Sequence, residues 1–165
     1  MFLHKTQDGY LVYDRHKSHI HIEAIPFLEE ALGKICARGE KFLVEQVVFP
    51  HVIGFSKCVP TDAYDEIIYA QRHNRHGLTR FVKNREPIEA TSMVIILKQI
   101  SKKSYVLISA YVGEIGLVEP WDWTAHCQTS DPLKSYYASV ESWKRRALIW
   151  DETLVIQGTA TQHPW

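Results

Sequence analysis

Between Asp65 and Trp121 the chain carries four apolar runs: IIYA (67–70), LTRFV (78–82), MVIIL (93–97) and SYVLISAYV (104–112). Each is bounded by polar or turn-forming residues, and the connections between them are short. A right-handed crossover between parallel strands needs roughly a dozen residues or more, so consecutive runs are expected to pair antiparallel. The pattern predicts one contiguous antiparallel sheet over 65–113, flanked by helical segments on either side in the sequence. That combination is an α+β architecture, with a central antiparallel sheet packed on helices at one face.

Before this block, residues 2–22 read as a β-hairpin turning at Gln7-Asp8-Gly9, since Asp-Gly is a strong hairpin signal. Residues 24–38 (AIPFLEEALGKICAR) carry Ile25, Leu28, Leu32 and Ile35 at helical spacing. Pro26 suits a first turn, Gly39 suits a stop, and Gly33 is an interior weakness. KFLVEQVVF (41–49) and VIGFSKCV (52–59) read as strands broken by Pro50-His51. After the block, Ser130 or Asp131 is placed to cap a second helix running to about Arg146. Leu133, Tyr136, Tyr137, Val140 and Trp143 line one side of it. LVIQGTAT is a candidate last strand.

The length of 165 residues favours one domain, 1–165. It falls into an N-terminal part (1–60), the sheet with the candidate site (61–122) and a C-terminal helix and tail (123–165). The 19 basic and 19 acidic side chains give no net charge, which argues against extended nucleic-acid binding but leaves room for a small charged site. Cys36, Cys58 and Cys127 are widely spaced and form no CxxC motif, as expected of buried thiols in a reducing compartment. The first ten residues lack the apolar core of a signal peptide, and no apolar run approaches the roughly 20 residues of a membrane span. A cytoplasmic location without membrane attachment is expected. His19 and His21 would share a strand face, but no carboxylate or Cys stands at a telling spacing, so no metal site is expected.

Alternation sorts the strand faces. Met93, Ile95 and Leu97 should face the helices, as should Val106, Ile108, Ala110, Val112 and Phe81. The opposite face would carry Arg80, Ser92, Ser109 and Tyr111. A guanidinium in mid-strand needs an anionic partner or water: either a structural carboxylate such as Glu66 or Glu114, or a substrate phosphate. Between the first two runs lies Arg72-His73-Asn74-Arg75-His76-Gly77, the densest group of His and Arg in the chain. Imidazoles move protons near neutral pH, and guanidinium forks bind phosphate. Such a loop is either a phosphoryl-transfer toolkit that needs no metal or a solvated hairpin turn.

GLTRFVKNREP, then TSMVIILK, YVLISAYVGE and EPWD, with a weaker echo at ESWKRRALIW, resemble a group of small phage and mobile-element proteins. That group resembles the superfamily of barnase, EndoU, colicin-type and RelE-type ribonucleases, called the BECR fold. The resemblance covers roughly residues 65–122. It implies a metal-independent endoribonuclease without a cofactor, acting as a toxin or phage effector, with RNA as substrate and a protein inhibitor or antitoxin as partner. Carried onto this chain, the proton-transferring residue is His76 or His73, the phosphate-binding residue Arg80, and the nearby hydroxyls Ser92 and Tyr111. Thr91 stands as an alternative to Ser92, and His51 as an alternative base. Arg72, Arg75 and Lys83 would assist at the phosphate, and Trp121 or Tyr111 would stack a base. The reaction would be attack of the ribose 2′-OH on the adjacent phosphorus, with protonation of the 5′-oxygen leaving group. The alternative is a catalytically inactive module of the same fold that binds RNA or a protein.

Overall fold

The computed structural model describes residues 2–14, 20–116, 118–156 and 164–165. It assigns the four apolar runs to two compact units rather than to one sheet. One unit comprises Met1–Ser56 with Glu89–Ile115, the other Lys57–Ile88 with Gly116–Trp165. Both are mixed in character, with much strand and little helix.

The first unit contains a five-stranded sheet. Its strands are β1 (Phe2–Lys5), β2 (Leu11–Asp14), β3 (Phe42–Val48), β9 (Ser92–Ser101) and β10 (Ser104–Val112), in the order β1-β2-β10-β9-β3. The expected hairpin forms β1 and β2, with Phe2 opposite Asp14 and Lys5 opposite Leu11. Gly9 sits at φ 88°, where a side chain would be strained. The hairpin pairing ends at Asp14; residues 15–19, His19 among them, lie outside the described residues, and beyond them Ile20 bridges Ala110 in parallel instead of continuing the expected hairpin to residue 22. β2 and β10 pair in parallel, with Tyr105 opposite Val12. β9 is antiparallel to both its neighbours. A short pair, β4 (Gly54–Ser56) and β8 (Ile88–Ala90), stands apart from this sheet.

The expected helix over 24–38 is cut short. A 3-10 turn at Ile25–Phe27 leads into α1 (Leu28–Leu32), and the helix stops at Gly33. Two features end it. Gly33 is the weak interior position, and the Asp8 carboxylate accepts hydrogen bonds from the backbone N–H groups of Ala37 (3.0 Å) and Arg38 (2.9 Å). Those amides are thereby bound to the hairpin turn, while Arg38 and Gly39 take positive φ of 58° and 77°. Leu28, Ala31, Leu32 and Ile35 still enter the core, against Met93, Ile95 and Leu97 as their alternation requires.

On β10 the alternation is broken. A register shift between Leu107 and Ser109 marks a bulge, which turns Tyr105 and Leu107 inward before it and Ala110 and Val112 inward after it. One extra residue reverses the facing of everything beyond it. Tyr105 and Leu107 therefore join the core cluster in place of Val106 and Ile108, which simple alternation would set there. The Tyr105 hydroxyl donates to the Glu40 carbonyl at 2.7 Å.

The second unit has a four-stranded sheet in the order β5-β11-β7-β6. Its strands are β5 (Cys58–Pro60), β6 (Ile67–Gln71), β7 (Leu78–Val82) and β11 (Arg146–Ile149). β6 and β7 form the expected antiparallel hairpin. The contiguous sheet over 65–113 fails at the next step, because the free edge of β7 pairs in parallel with β11, Leu148 opposite Phe81. Both edges of β9 are filled by β3 and β10. Short connections permit antiparallel neighbours but do not compel them. Val59, Val82 and Ala147 form this unit's core, with Ile67 and Ile149 packed on it.

Two helices complete the unit, α2 (Trp123–His126) and α3 (Pro132–Trp143). Asp131 caps α3 as expected, accepting the Lys134 N–H at 3.1 Å. The helix ends at Trp143 because the chain enters β11 at Arg146. Its buried face is Ser139, Val140 and Trp143, and Leu133 and Tyr137 point to solvent instead of joining it. Of the candidate last strand, Leu154 lies in a 3-10 turn and Val155 makes a bridge to Arg72; 157–163 lie outside the described residues.

Candidate functional site

The His/Arg loop is the turn of the β6–β7 hairpin, closed by Gln71 opposite Leu78. Asn74 takes a left-handed conformation, φ 60°, which Asn tolerates better than most residues. The Arg75 N–H donates to the Arg72 carbonyl (3.2 Å), and the Gln71 side-chain amide donates to the Arg75 carbonyl (2.6 Å). Outside the turn, the His73 N–H donates to the Leu154 carbonyl (3.1 Å) and the Ile156 N–H to the Gln71 carbonyl (2.9 Å). The loop backbone is thus held from both sides.

Beneath it lies a network that the sequence did not reveal. Arg72 Nη2 is 2.6 Å from Glu119 Oε2, and Arg72 Nε–H donates to Thr79 Oγ1 at 3.1 Å. The Thr79 hydroxyl donates to Glu119 Oε1 at 2.5 Å. Thr79 is fully buried, and the Glu119 carboxylate is only 10 % exposed. Pairing explains how a charged carboxylate sits there, because each of its oxygens accepts a bond. The Glu119 backbone carbonyl serves a second buried group. His126 Nε2 lies 3.2 Å from it and Nδ1 2.7 Å from Ser135 Oγ. A carbonyl can only accept, so Nε2 carries a proton. The Arg72 and Glu119 positions are 47 residues apart, and nothing local in either stretch marks them as partners.

These contacts bind Arg72, expected to assist at the phosphate, to Thr79 and Glu119. Trp121, expected to stack a base, lies against Gly77: a Cβ there would be 2.1 Å from Trp121 Cγ. Arg80 stands opposite Tyr69, and its Nη1 donates to Thr61 Oγ1 and to the Arg146 carbonyl, both at 2.8 Å. Neither Glu66 nor Glu114 is its hydrogen-bond partner. Lys83 is exposed, its ammonium 5.1 Å from the centre of the Trp150 ring. His73, Arg75 and His76 are exposed. Arg75 Nη1 reaches the Asn74 carbonyl at 3.1 Å.

The remaining candidates belong to the first unit, so the expected single face carrying Arg80 with Ser92, Ser109 and Tyr111 does not exist as one sheet. Ser92 is buried; its hydroxyl donates to the Gly113 carbonyl (2.8 Å) and accepts from Gln46 Nε2 (3.4 Å). Thr91 is exposed, and its carbonyl accepts the Phe49 N–H at 2.7 Å. Tyr111 is half-buried, with the His21 ring 6.0 Å away. His51 is exposed and packs on the Phe27 and Phe49 rings. Among the described residues no group of three or more His, Cys, Asp or Glu side chains is placed to hold a metal ion. None of the described helices is long and apolar enough to cross a membrane.

No protein-family model and no curated protein sequence matches the chain. Among solved structures, the chain is similar to a conserved hypothetical protein from Toxoplasma gondii ME49, with a TM-score of 0.53 at 14 % identity. The match covers 82 % of this chain and 88 % of that one. At that identity the likeness concerns the fold alone.

Proposed function

We propose that the Arg72–Gly77 turn is the working part of a metal-independent endoribonuclease of BECR type, acting on RNA in the cytoplasm. The observation that carries this reading is the exposure of His73, Arg75 and His76 on one turn whose base is clamped by the Arg72–Thr79–Glu119 network. A catalytic group works best when its backbone is held and its side chain reaches substrate. His76, with His73 second, takes the proton of the ribose 2′-OH or returns one to the 5′-oxygen. Arg75 offers its guanidinium to the phosphoryl oxygens as charge develops there. Arg72 supports the turn from below. Arg80, Ser92 and Tyr111 have no step in this version of the mechanism.

A second reading is a catalytically inactive module of the same fold that binds RNA or protein. It is favoured by the internal hydrogen bonds of Arg80 and Ser92, the residues on which the resemblance places charge stabilisation and a hydroxyl contact. The purified chain, incubated with varied single-stranded RNAs and with the same sequences as DNA, separates the two. Cleavage of RNA alone, leaving 2′,3′-cyclic phosphate ends, supports the enzyme. Binding without cleavage across the panel favours the inactive module.

A further inference from the structure

β3 is the end strand of its sheet; among the described residues its only paired neighbour is β9. The ladder fixes which backbone groups are spoken for. The Gln99 N–H donates to the Lys41 carbonyl (2.8 Å), and the Phe49 N–H donates to the Thr91 carbonyl (2.7 Å). In an antiparallel pair the hydrogen-bonded residues alternate. The odd-numbered residues of this strand therefore turn their N–H and C=O groups to β9, and Phe42, Val44, Gln46 and Val48 turn theirs outward. The same strand exposes large apolar side chains: Phe42 is 58 % exposed, Val44 39 % and Val48 63 %. An open edge of this length with apolar side chains is a template for another strand.

We propose that a second copy of this chain pairs with that edge, β3 against β3 in antiparallel sense about a two-fold axis at Leu43. The register is chosen by charge. With Leu43 at the axis, Lys41 faces Glu45 of the second copy and Glu45 faces its Lys41, so the contact is made twice. Phe42 faces Val44, and both present their free backbone groups to each other. An axis at Glu45 would oppose two carboxylates. One at Val44 or Gln46 would set Glu45 against Leu43 or Val47, and one at Phe42 would set Lys41 against Leu43. Opposite charges directly across a ladder stabilise it and like charges destabilise it, and a two-fold axis requires that the surface complement itself. Of all axes along this strand, only the one at Leu43 sets Lys41 opposite Glu45; it overlaps the two strands at Phe42–Val44, with the two charge pairs flanking.

Sedimentation equilibrium of the full chain over a concentration series tests the proposal. The wild type should self-associate to a dimer. Glu45→Lys and Lys41→Glu, each replacing two attractions by two repulsions, should each raise the dissociation constant roughly tenfold or more. The double exchange Lys41→Glu/Glu45→Lys should restore it. Phe42→Ser should also weaken the dimer, and circular dichroism of each variant should match the wild type. A wild type that remains monomeric throughout overturns the proposal. So does a dimer indifferent to the single charge reversals, or a double exchange that fails to restore association.

Discussion

Trp121 occupies the space that a side chain at residue 77 would need. A Cβ on Gly77 would lie 2.1 Å from Trp121 Cγ and 2.3 Å from its Cβ. The nearest atoms include the root of the indole side chain, which cannot swing away without moving its own backbone. Gly77→Ala should therefore destabilise the protein by about 2 kcal/mol or more, at the upper part of the overpacking range. Gly116→Ala, with nothing within 4 Å of its built Cβ, should stay within about 0.5 kcal/mol of wild type. Urea denaturation of both variants checks the contrast.

Glu119 accepts from both Arg72 and Thr79. Glu119→Gln leaves a mostly buried guanidinium without its counter-charge, which should cost roughly 3 kcal/mol. Adding Arg72→Met removes the stranded charge, so the double variant should be more stable than Glu119→Gln alone. Chemical denaturation of the two singles and the double measures that coupling.

Asp8 ties the hairpin turn to the segment after α1. Burial opposes ionisation of its carboxyl. The Thr6 hydroxyl and the N–H groups of Arg38 and Ala37 outweigh that and hold it at about 2, below its ordinary value of 3.8. A carboxyl depressed on folding contributes stability that is present above the unfolded value and lost as pH falls through the folded one. Stability should therefore decline between about pH 4 and pH 2. Asp8→Asn should be less stable at neutral pH and lose part of that slope. Thermal denaturation of both proteins at a series of pH values gives the comparison.

Arg80 donates from one guanidinium nitrogen to Thr61 and to the Arg146 carbonyl, which begins β11. A lysine ammonium ends one bond short of that nitrogen and cannot reach both acceptors from the same position. Arg80→Lys should lower stability by about 1–2 kcal/mol and leave RNA cleavage unchanged. Melting temperature and cleavage rate, measured on the same preparation, give the two readouts.

On the proposed ribonuclease mechanism, His76→Ala should reduce RNA cleavage by about 10²- to 10⁴-fold, the usual worth of one positioned proton-transfer group. His73→Ala is expected to have the lesser effect. Both side chains are exposed, so both variants should keep the wild-type unfolding midpoint. Activity indifferent to both substitutions would remove the turn from the mechanism.

By itself the sequence determined the features that depend on neighbours along the chain. The hairpin at Gln7–Gly9, the Asp131 cap, the β6–β7 hairpin and the inward face of β9 follow from turn chemistry, capping and alternation, which act over a few residues. The exposure of His73, Arg75 and His76 also follows from their place in a polar turn. Tertiary structure decided everything that required a distant partner. It completed the break begun at Gly33 in the first helix, because Asp8 binds the Ala37 and Arg38 amides beyond it. It reversed the facing of Tyr105 and Leu107 through one bulge. It gave the free edge of β7 to β11, dividing the strands between two units. It also supplied the internal acceptors of Arg72 and Arg80, Glu119 for the one and the Arg146 carbonyl for the other. Backbone edges and buried charges must all be satisfied, but the side chain that satisfies them is set by which segments the fold brings together, and no local pattern encodes that choice.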